Sequence, residues 1–152
     1  MAEVTRKSIE EISRHWVDSW AQPDAAAFAA SYTETGEYID HAFQIRRAGH
    51  EAIARHYNIW IGSVPNFEMR VEKFNVVGLQ SMFSYVGSGT FENDLPMLAA
   101  TGTTFTYQGV VVLTVDESGR IERTEEFYST NFPSGVPFKE YNFRGIDNSV
   151  VR

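Results

Sequence analysis

Two adjacent glutamates near the end of the chain, Glu125 and Glu126, are the first candidates for chemistry. They fall in residues 121–129, a segment whose composition predicts a β-strand. Because side chains alternate along a strand, only one of the two carboxyl groups can line a protein interior. A carboxyl group buried among aromatic side chains has a raised pKa, since its charged form is poorly solvated, and it can then exchange a proton near neutral pH. The alternative is a solvated glutamate on an edge strand.

Asp40 and His41 form a second candidate pair in a short segment rich in aromatic and branched residues. A histidine near a carboxylate is the usual proton shuttle of enzymes, because its pKa lies near neutrality. Neighbouring residues of a strand again point to opposite faces, so we expect one of the two to serve as partner to a catalytic glutamate. The alternative for each residue is that it caps a turn or meets solvent.

Further candidates are residues that hold a substrate oxygen. Arg46 and Arg47 precede a predicted helix, and one of them can reach over a cavity mouth to stabilise an enolate or carbonyl oxygen. Tyr85 and Tyr107 lie in predicted strands, where either hydroxyl can donate a hydrogen bond to a bound molecule. The alternatives are surface arginines and tyrosines that pack in the core with the hydroxyl at its rim.

Two more aromatic residues complete the expected binding wall. Trp60 lies on the apolar side of a predicted third helix, and Tyr128 shares a strand face with Glu126. The same alternation puts Glu122 and Thr124 on that face, which predicts a wall with several polar groups. We expect Trp60 and Tyr128 to contact substrate.

The sequence offers no recognisable metal or nucleotide site. It has no cysteine and no H-E-x-x-H motif. His15 lies on the first predicted helix, and the spacing of His50 and His56 on the third turns them away from each other. Since no glycine motif that cradles phosphate is present either, we expect neither a metal nor an organic cofactor.

Composition excludes several classes of protein. The chain has 152 residues and a formal net charge of −7, with 14% aromatic residues. An acidic balance disfavours binding to nucleic acids and to anionic membranes, because both require a basic surface. No apolar run approaches the roughly 18–20 residues of a membrane-spanning helix, and residues 1–11 do not resemble a secretory signal. These features predict a cytoplasmic protein. The aromatic content fits either an ordinary core or the lining of a cavity for a flat apolar ligand.

The first third of the chain reads as helical. Ser8 and Glu11 have the spacing of a capping box that starts a first helix, and Pro23 is suited to the first turn of a second. Gly36 is expected to end that second unit, and Gly62 to end the third helix. The predicted elements are a first helix from Ser8 through Trp20, a second helix over 23–32, a strand over 37–43 and a third helix over 50–61.

The remainder alternates as strands do. The clearest pattern runs from Thr103 to Val115, followed by a hairpin turn at residues 116–119. Val110 and Val112 fall on the face opposite its aromatic residues. The predicted strands cover residues 67–74, 82–91, 103–115 and 121–129. Helices early and strands late predict an α+β fold, with helices packed on one face of a mostly antiparallel sheet.

This order, with particular residues inside it, resembles the SnoaL-like branch of the nuclear-transport-factor-2-like superfamily. The pieces that carry the resemblance are Trp16-Val17-Asp18-Ser19-Trp20, Tyr38-Ile39-Asp40-His41, Gly49-His50-Glu51-Ala52-Ile53, and Gly119-Arg120-Ile121 followed by Glu126-Phe127-Tyr128. The resemblance covers roughly residues 5–130. It implies a single cone-shaped α+β barrel over residues 1–152, in which a curved sheet is wrapped by three N-terminal helices.

The resemblance also implies site residues. Glu126 occupies the position of the catalytic carboxylate in the epoxide-hydrolase and cyclase branches. Asp94 corresponds to an acidic residue of the epoxide-hydrolase pattern, and we expect it to contact substrate. Glu92 replaces the arginine of that pattern, which counts against epoxide hydrolysis by that route.

The expected activity is that of a cofactor-independent isomerase or cyclase acting on a small oxygenated natural product, such as a polyketide or meroterpenoid, by general acid–base catalysis. The alternatives are a dehydratase or epoxide hydrolase in the same fold, or a non-catalytic binding or assembly domain. We also expect a homodimer formed through the outer face of the sheet. Residues 132–152, which are rich in aromatic residues, are expected to be an extension that closes part of the cone mouth.

Overall fold

The computed structural model describes residues 4–96 and 98–128. The expected lid over residues 132–152 therefore lies outside the described residues. The helices are α1 (Arg6–Asp18), α2 (Ala25–Ala30) and α3 (His50–Ser63), with a single 3-10 turn at Ser19–Ala21. The strands are β1 (Tyr32–Asp40), β2 (Ile45–Ala48), β3 (Glu68–Val77), β4 (Gln80–Thr90), β5 (Thr104–Val115) and β6 (Ile121–Tyr128).

Helix α1 starts earlier than predicted. Its N-cap is Thr5, whose hydroxyl accepts from the backbone N–H of Ser8 at 3.1 Å, while the Ser8 hydroxyl accepts from the backbone N–H of Thr5 at 2.8 Å. The prediction that Ser8 is the cap and Glu11 its partner is wrong, because Ser8 occupies the N3 position of the capping box and Thr5 is the N-cap.

The second helix is shorter than predicted at both ends. Asp24, rather than Pro23, starts α2, because its carboxylate accepts from the backbone N–H of Ala27 at 2.9 Å. Tyr32 belongs to β1, not to the helix, and Gly36 lies within that strand. A Cβ at Gly36 would lie 2.9 Å from the Cβ of Tyr32, so the glycine permits a close approach at an irregularity in β1 instead of ending a helix.

Helix α3 runs through the predicted stop at Gly62 and ends at Ser63. Its N-cap, Gly49, has a φ of +79°, a conformation that glycine adopts without strain. The buried residues of α3 include Ile53, His56 and Tyr57, and this face packs towards the sheet.

The sheet has the strand order β2-β1-β6-β5-β4-β3, and the described strands do not close into a complete barrel. Strands β1 and β6 pair in parallel and the other neighbours are antiparallel. The short strand β2 was not predicted. Its residues Ile45–Ala48 form an antiparallel hairpin with β1 and extend the sheet at the edge where Asp40 lies. The predicted α+β class, with a mostly antiparallel sheet, is confirmed.

Two irregularities in strand register change which side chains face inward. In β3 the register shifts between Val71 and Lys73. Strict alternation would place Phe67 and Phe74 on opposite faces, but after the shift Phe74 also faces the core, where it stacks on Phe83 at 5.5 Å between ring centroids. In β6 the register shifts near its start, so Glu122 and Arg123 are both exposed. The prediction that Glu122 shares a face with Glu126 is therefore wrong.

The core lies between the helices and the inner face of the sheet. Trp16 and Trp20 from the N-terminal segment contact the ring of Phe28 from α2, at centroid distances of 5.9 and 4.8 Å. On β5 the alternate residues predicted to share a face, from Phe105 to Val115, are all buried. This aromatic packing fixes the helices over the inner face of the sheet.

Candidate functional site

A cavity of about 110 Å³ opens between the inner face of the sheet, α3 and the loop after β4. Most of its wall is apolar or aromatic, and a few polar groups converge within it. The lining residues are Trp20, Tyr38, Asp40, Phe43, Ile45, Arg47, His56, Ile59, Trp60, Phe67, Leu95, Pro96, Tyr107, Glu126 and Tyr128. An apolar pocket with a small number of placed polar groups is the usual form of a small-molecule site.

Glu126 is the buried member of the glutamate pair. Its side chain is 5% exposed and enters the cavity from β6. The Tyr38 hydroxyl donates to its Oε2 atom, and the Tyr85 hydroxyl donates to its Oε1 atom at 3.1 Å. Burial, together with the nearby charge of Asp40, raises the pKa of Glu126 to about 8, although the two tyrosine hydrogen bonds oppose the shift. The carboxyl group therefore retains its proton at neutral pH.

Asp40 lies beside Glu126 because the two residues are register partners in the parallel strands β1 and β6. Asp40 is 2% exposed and accepts two hydrogen bonds, from the Tyr128 hydroxyl at 2.5 Å and from the backbone N–H of Phe43 at 2.9 Å. Burial raises its pKa, and these donors act in the opposite direction by stabilising the carboxylate. Two carboxyl groups with different surroundings thus share one cavity.

The tyrosines around this pair are held by cross-strand glycines. Tyr85 stands opposite Gly109, and Tyr107 stands opposite Gly87. A Cβ at Gly109 would lie 2.6 Å from the Tyr85 hydroxyl, and one at Gly87 would lie 2.7 Å from the Tyr107 ring, so both rings lie flat across the neighbouring strand. Burial raises the pKa of each tyrosine well above 10, so both remain protonated donors over the whole useful pH range.

His56 and Arg47 lie at another part of the cavity wall. The His56 ring packs on Tyr38, with centroids 4.4 Å apart. Burial, and to a lesser extent the charge of Arg47, lowers the pKa of His56 to about 4, so the imidazole is neutral. Arg47 reaches the cavity because the alternation of β2 turns Ile45 and Arg47 inward.

Three predicted site residues lie outside the cavity. His41 projects from the outer face of the sheet, where it pairs with Glu125 at 3.0 Å and stacks on Phe127. Arg46 also faces outward and forms an ion pair with Glu37. Asp94 is turned away, because its carboxylate accepts from the backbone N–H of Ala100 at 2.7 Å and closes the loop after β4. The expectation that these residues touch substrate is corrected by this geometry.

The other predicted residues are brought together. Trp60, Tyr107 and Tyr128 line the cavity with Asp40 and Glu126. Tyr85 is fully buried behind the wall, where its hydroxyl donates to Glu126 and its ring packs edge-on against Tyr107 at 5.8 Å between centroids.

Sequence reasoning missed Tyr38 and His56. The signal for Tyr38 was present, since it lies two residues before Asp40 on one strand and so shares its face. His56 lies three residues after Ile53 and four before Trp60, a spacing that places it on the buried stripe of α3. Among residues 4–96 and 98–128, no group of three or more histidine, aspartate or glutamate side chains is arranged to hold a metal ion.

A curved sheet and helices that bound a cavity make up the ketosteroid isomerase-like fold, which this chain shares. The chain belongs to the SnoaL-like domain family, whose model matches residues 13–124. A comparison with curated proteins finds no match. In the part of the chain that the structure describes, no helix combines the length and apolar character needed to cross a membrane.

Several solved structures share the fold. A protein of ketosteroid isomerase-like fold from Catenulispora acidiphila DSM 44928, in complex with trimethylamine, is 20% identical, with a TM-score of 0.73 over 87% of this chain and 98% of the other. A protein from Jannaschia sp. CCS1, described as a SnoaL-like polyketide cyclase, is 16% identical, with a TM-score of 0.76 over 90% and 100% of the two chains. SalBIII, an epoxide hydrolase/cyclase-like enzyme of pyran ring formation in salinomycin, is 16% identical, with a TM-score of 0.70 over 82% and 93%.

Proposed function

We propose that this protein is a cofactor-independent isomerase or cyclase of a small oxygenated natural product, such as a polyketide or a meroterpenoid. The observation that carries the proposal is the pairing of Glu126, whose pKa is raised to about 8, with Asp40 inside one aromatic cavity. Two carboxyl groups whose surroundings separate their proton affinities are suited to act as acid and base in the same reaction.

The proposed roles follow from the hydrogen bonds. Asp40, arranged as a carboxylate, takes a proton from a carbon next to a substrate carbonyl, while Glu126 donates its proton to the carbonyl oxygen. The product is a neutral enol. After this step Asp40 carries the proton and Glu126 is the carboxylate. Return of a proton to a different carbon shifts a double bond. Attack of the enol carbon on a second carbonyl of the same molecule closes a ring.

The cavity wall excludes water and positions the substrate. Trp20, Trp60 and Phe67 form an apolar surface that excludes water and holds a flat substrate in one conformation. The hydroxyl groups of Tyr107 and Tyr128 lie beside the carboxyl pair, and both rings line the cavity. Such groups orient oxygen atoms of a substrate relative to Glu126.

Convergent ionisable groups favour an enzyme over a plain binding domain. Burying two carboxyl groups lowers the stability of the fold, and such destabilising arrangements are typical of catalytic sites. Dehydration uses the same proton movements and is the nearest alternative reaction. Epoxide opening also needs a general acid, and SalBIII is an epoxide hydrolase/cyclase-like enzyme of this fold. The position of Asp94 outside the cavity argues against the epoxide-hydrolase pattern of residues in this chain.

A second copy of this chain is the proposed partner of the outer sheet face. Met82, Val110 and Phe127 project from neighbouring strands there and are 50%, 36% and 44% exposed. Val110 is the register partner of Phe127, so the exposed apolar side chains are contiguous. Sedimentation should show a dimer at micromolar concentration, and Val110→Lys should shift it towards monomer. A monomeric wild-type protein would contradict this proposal.

The catalytic proposal is tested by carbon-acid exchange. Small cyclic ketones with enolisable protons are incubated in D₂O, and loss of the α-proton signal is followed by NMR. We expect the wild-type protein to exceed the buffer rate, and Glu126→Gln to reduce that excess by about 10²–10⁴-fold, the usual contribution of general acid–base catalysis.

Glu125→Gln is the matched control, because Glu125 lies on the opposite face of the same strand and pairs with His41. This variant should retain the wild-type rate. Exchange no faster than buffer in the wild type, or equal losses in the two variants, would contradict the proposed role of Glu126.

A further inference from the structure

Arg47 is a cation of the cavity wall that has no acidic partner among the described residues. Arg47 lines the cavity from β2, whereas its neighbour Arg46 faces outward and pairs with Glu37. Within residues 4–96 and 98–128, no carboxylate lies within ion-pair distance of the Arg47 guanidinium. A half-buried guanidinium in an apolar wall is poorly solvated, so an anionic ligand group placed against it would gain a strong charge-assisted hydrogen bond.

The Arg47 guanidinium donates to the backbone carbonyl of Arg46 at 3.5 Å, and a second polar side chain, His56, lies at the same part of the wall. The residue His56 is only 9% exposed, and among the described residues its ring makes no hydrogen bond. The ring lines the cavity, and its nitrogens are not among the fully enclosed side-chain atoms that lack a partner, so they are accessible to a ligand atom from the cavity. The ring is neutral and offers one N–H donor and one acceptor nitrogen.

Arg47 and His56 flank the same tyrosine. Arg47 is the register partner of Tyr38 across β1 and β2, so their side chains leave the same face about 4.5–5.5 Å apart at the Cβ atoms. His56 packs on the Tyr38 ring from α3. The hydroxyl end of Tyr38 donates to Glu126. Tyr38 therefore separates a cationic part of the cavity from the acidic part that holds Glu126 and Asp40.

This separation of charge predicts how a substrate is oriented. A negative group is attracted to Arg47 and repelled by the Asp40 carboxylate, so it binds at the cationic part. A guanidinium presents paired donors whose geometry matches the two oxygens of a planar carboxylate. One guanidinium beside a neutral imidazole balances a single negative charge, which fits a carboxylate better than a phosphate dianion.

We propose that Arg47 and His56 form a subsite for a carboxylate group, and that the substrate is a carboxylic acid whose uncharged, oxygenated part reaches Glu126. This inference rests on the proposed function for the identity of the bound molecule as substrate. It assigns the substrate class, which the acid–base pair alone does not.

Binding of simple probes tests the subsite without any turnover. Benzoate and benzamide have nearly the same shape and differ in charge, and a single ring is of the size that small apolar cavities admit. Titrations followed by NMR should show that the wild-type protein prefers benzoate over benzamide by roughly 10- to 100-fold, the usual range for a hydrogen bond to a charged group. Trimethylammonium, the protonated form of trimethylamine, should bind more weakly than benzoate.

The variants separate the subsite from general effects on the fold. Arg47→Gln should abolish the preference for benzoate, and Arg47→Lys, which keeps the charge but not the paired donors, should retain part of it. His56→Phe should weaken benzoate binding by a few-fold, as expected for one neutral hydrogen bond. Arg46→Gln is the control on the same strand and should leave the preference unchanged, because Arg46 lies outside the cavity.

Three results would overturn the subsite. The wild type could bind benzoate and benzamide equally, or show no detectable benzoate binding at millimolar concentration. The Arg46 and Arg47 variants could also lose the preference equally. Preference for trimethylammonium would overturn it as well. The binding assay involves no proton transfer at carbon, so it is independent of the exchange assay. If the wild-type protein prefers benzoate but does not accelerate α-proton exchange, the subsite stands and the proposed function is rejected. If it accelerates exchange but shows no preference for benzoate, only the subsite is rejected.

Discussion

Asp40 and Glu126 are register partners in the parallel strands β1 and β6, and both carboxyl groups enter the same cavity. Each is stabilised by a different set of donors: Asp40 by Tyr128 and the Phe43 backbone, Glu126 by Tyr38 and Tyr85. The charge of Asp40 contributes to the high pKa of Glu126, so the two groups titrate as a coupled pair.

The buried Glu126 predicts a specific dependence of stability on pH. Its pKa is about 8 in the folded protein and near 4.5 in the unfolded chain, so between these values the folded state binds more protons. The stabilisation from the protonated group is complete below pH 4.5 and is lost as the pH rises towards 8, with a slope of up to about 1.4 kcal/mol per pH unit. Glu126→Gln removes this dependence.

The measurement is the difference in unfolding free energy between Glu126→Gln and wild type, followed by urea denaturation from pH 5 to pH 9. The difference should rise in favour of the variant up to about pH 8 and then level off. Glu125→Gln, on the outer face, should show no such trend. A flat difference for Glu126→Gln over this range would show that the carboxyl group is not held protonated.

Replacing the neighbouring charge should move the pKa of Glu126 downward. Asp40→Asn keeps the shape of the side chain and removes the negative charge that disfavours ionisation of Glu126. Because burial is the larger cause, the pKa of Glu126 should fall but remain above 4.5. Carbon-13 NMR of labelled glutamate side chains measures this shift, and an unchanged or raised pKa in the variant would contradict the coupling of the pair.

Substitution of glycine by alanine should have opposite effects at a cross-strand position, Gly109, and at a helical position, Gly62. Gly109→Ala places a Cβ 2.6 Å from the hydroxyl end of the buried Tyr85, which must move away from Glu126. We expect a loss of about 1–3 kcal/mol in unfolding free energy, as for other overpacked cores. Gly62→Ala lies in α3 with no atom within 4 Å of the new Cβ, and it should raise stability by about 0.5–1 kcal/mol.

Thermal and urea unfolding of the two alanine variants provide the comparison. A neutral Gly109→Ala variant would mean that Tyr85 can relocate at no cost. In that case its hydrogen bond would not hold Glu126 in place.

The strands were predictable where side chains alternate strictly and both faces have distinct composition. The alternation of β5 identified its buried residues because no register shift interrupts the inner face from Phe105 to Leu113. Strand β2 escaped prediction because it has four residues, Ile45–Ala48, two of which are arginines. The shifts near Glu72 and Glu122 also escaped, since a bulge adds one residue to a strand and leaves no local mark in composition.

The candidate site was predictable in part for the same reason. Alternation required Glu125 and Glu126, and likewise Asp40 and His41, to lie on opposite faces, and a family resemblance indicated which glutamate faces inward. Sequence could not show that Asp40 stands directly beside Glu126, because that follows from the parallel pairing of β1 with β6, which are far apart in the chain. The inward side of β2, and hence the choice of Arg47 over Arg46, depends on the unpredicted hairpin with β1.

The proposed chemistry depends above all on Glu126 holding a proton at neutral pH. The most direct test is to follow the carboxyl carbon signal of Glu126, assigned by its absence in Glu126→Gln, through a titration of the wild-type protein from pH 4 to pH 10. The account predicts a transition near pH 8, well separated from those of the exposed glutamates. A transition near pH 4.5, the value of an ordinary glutamate, would contradict it.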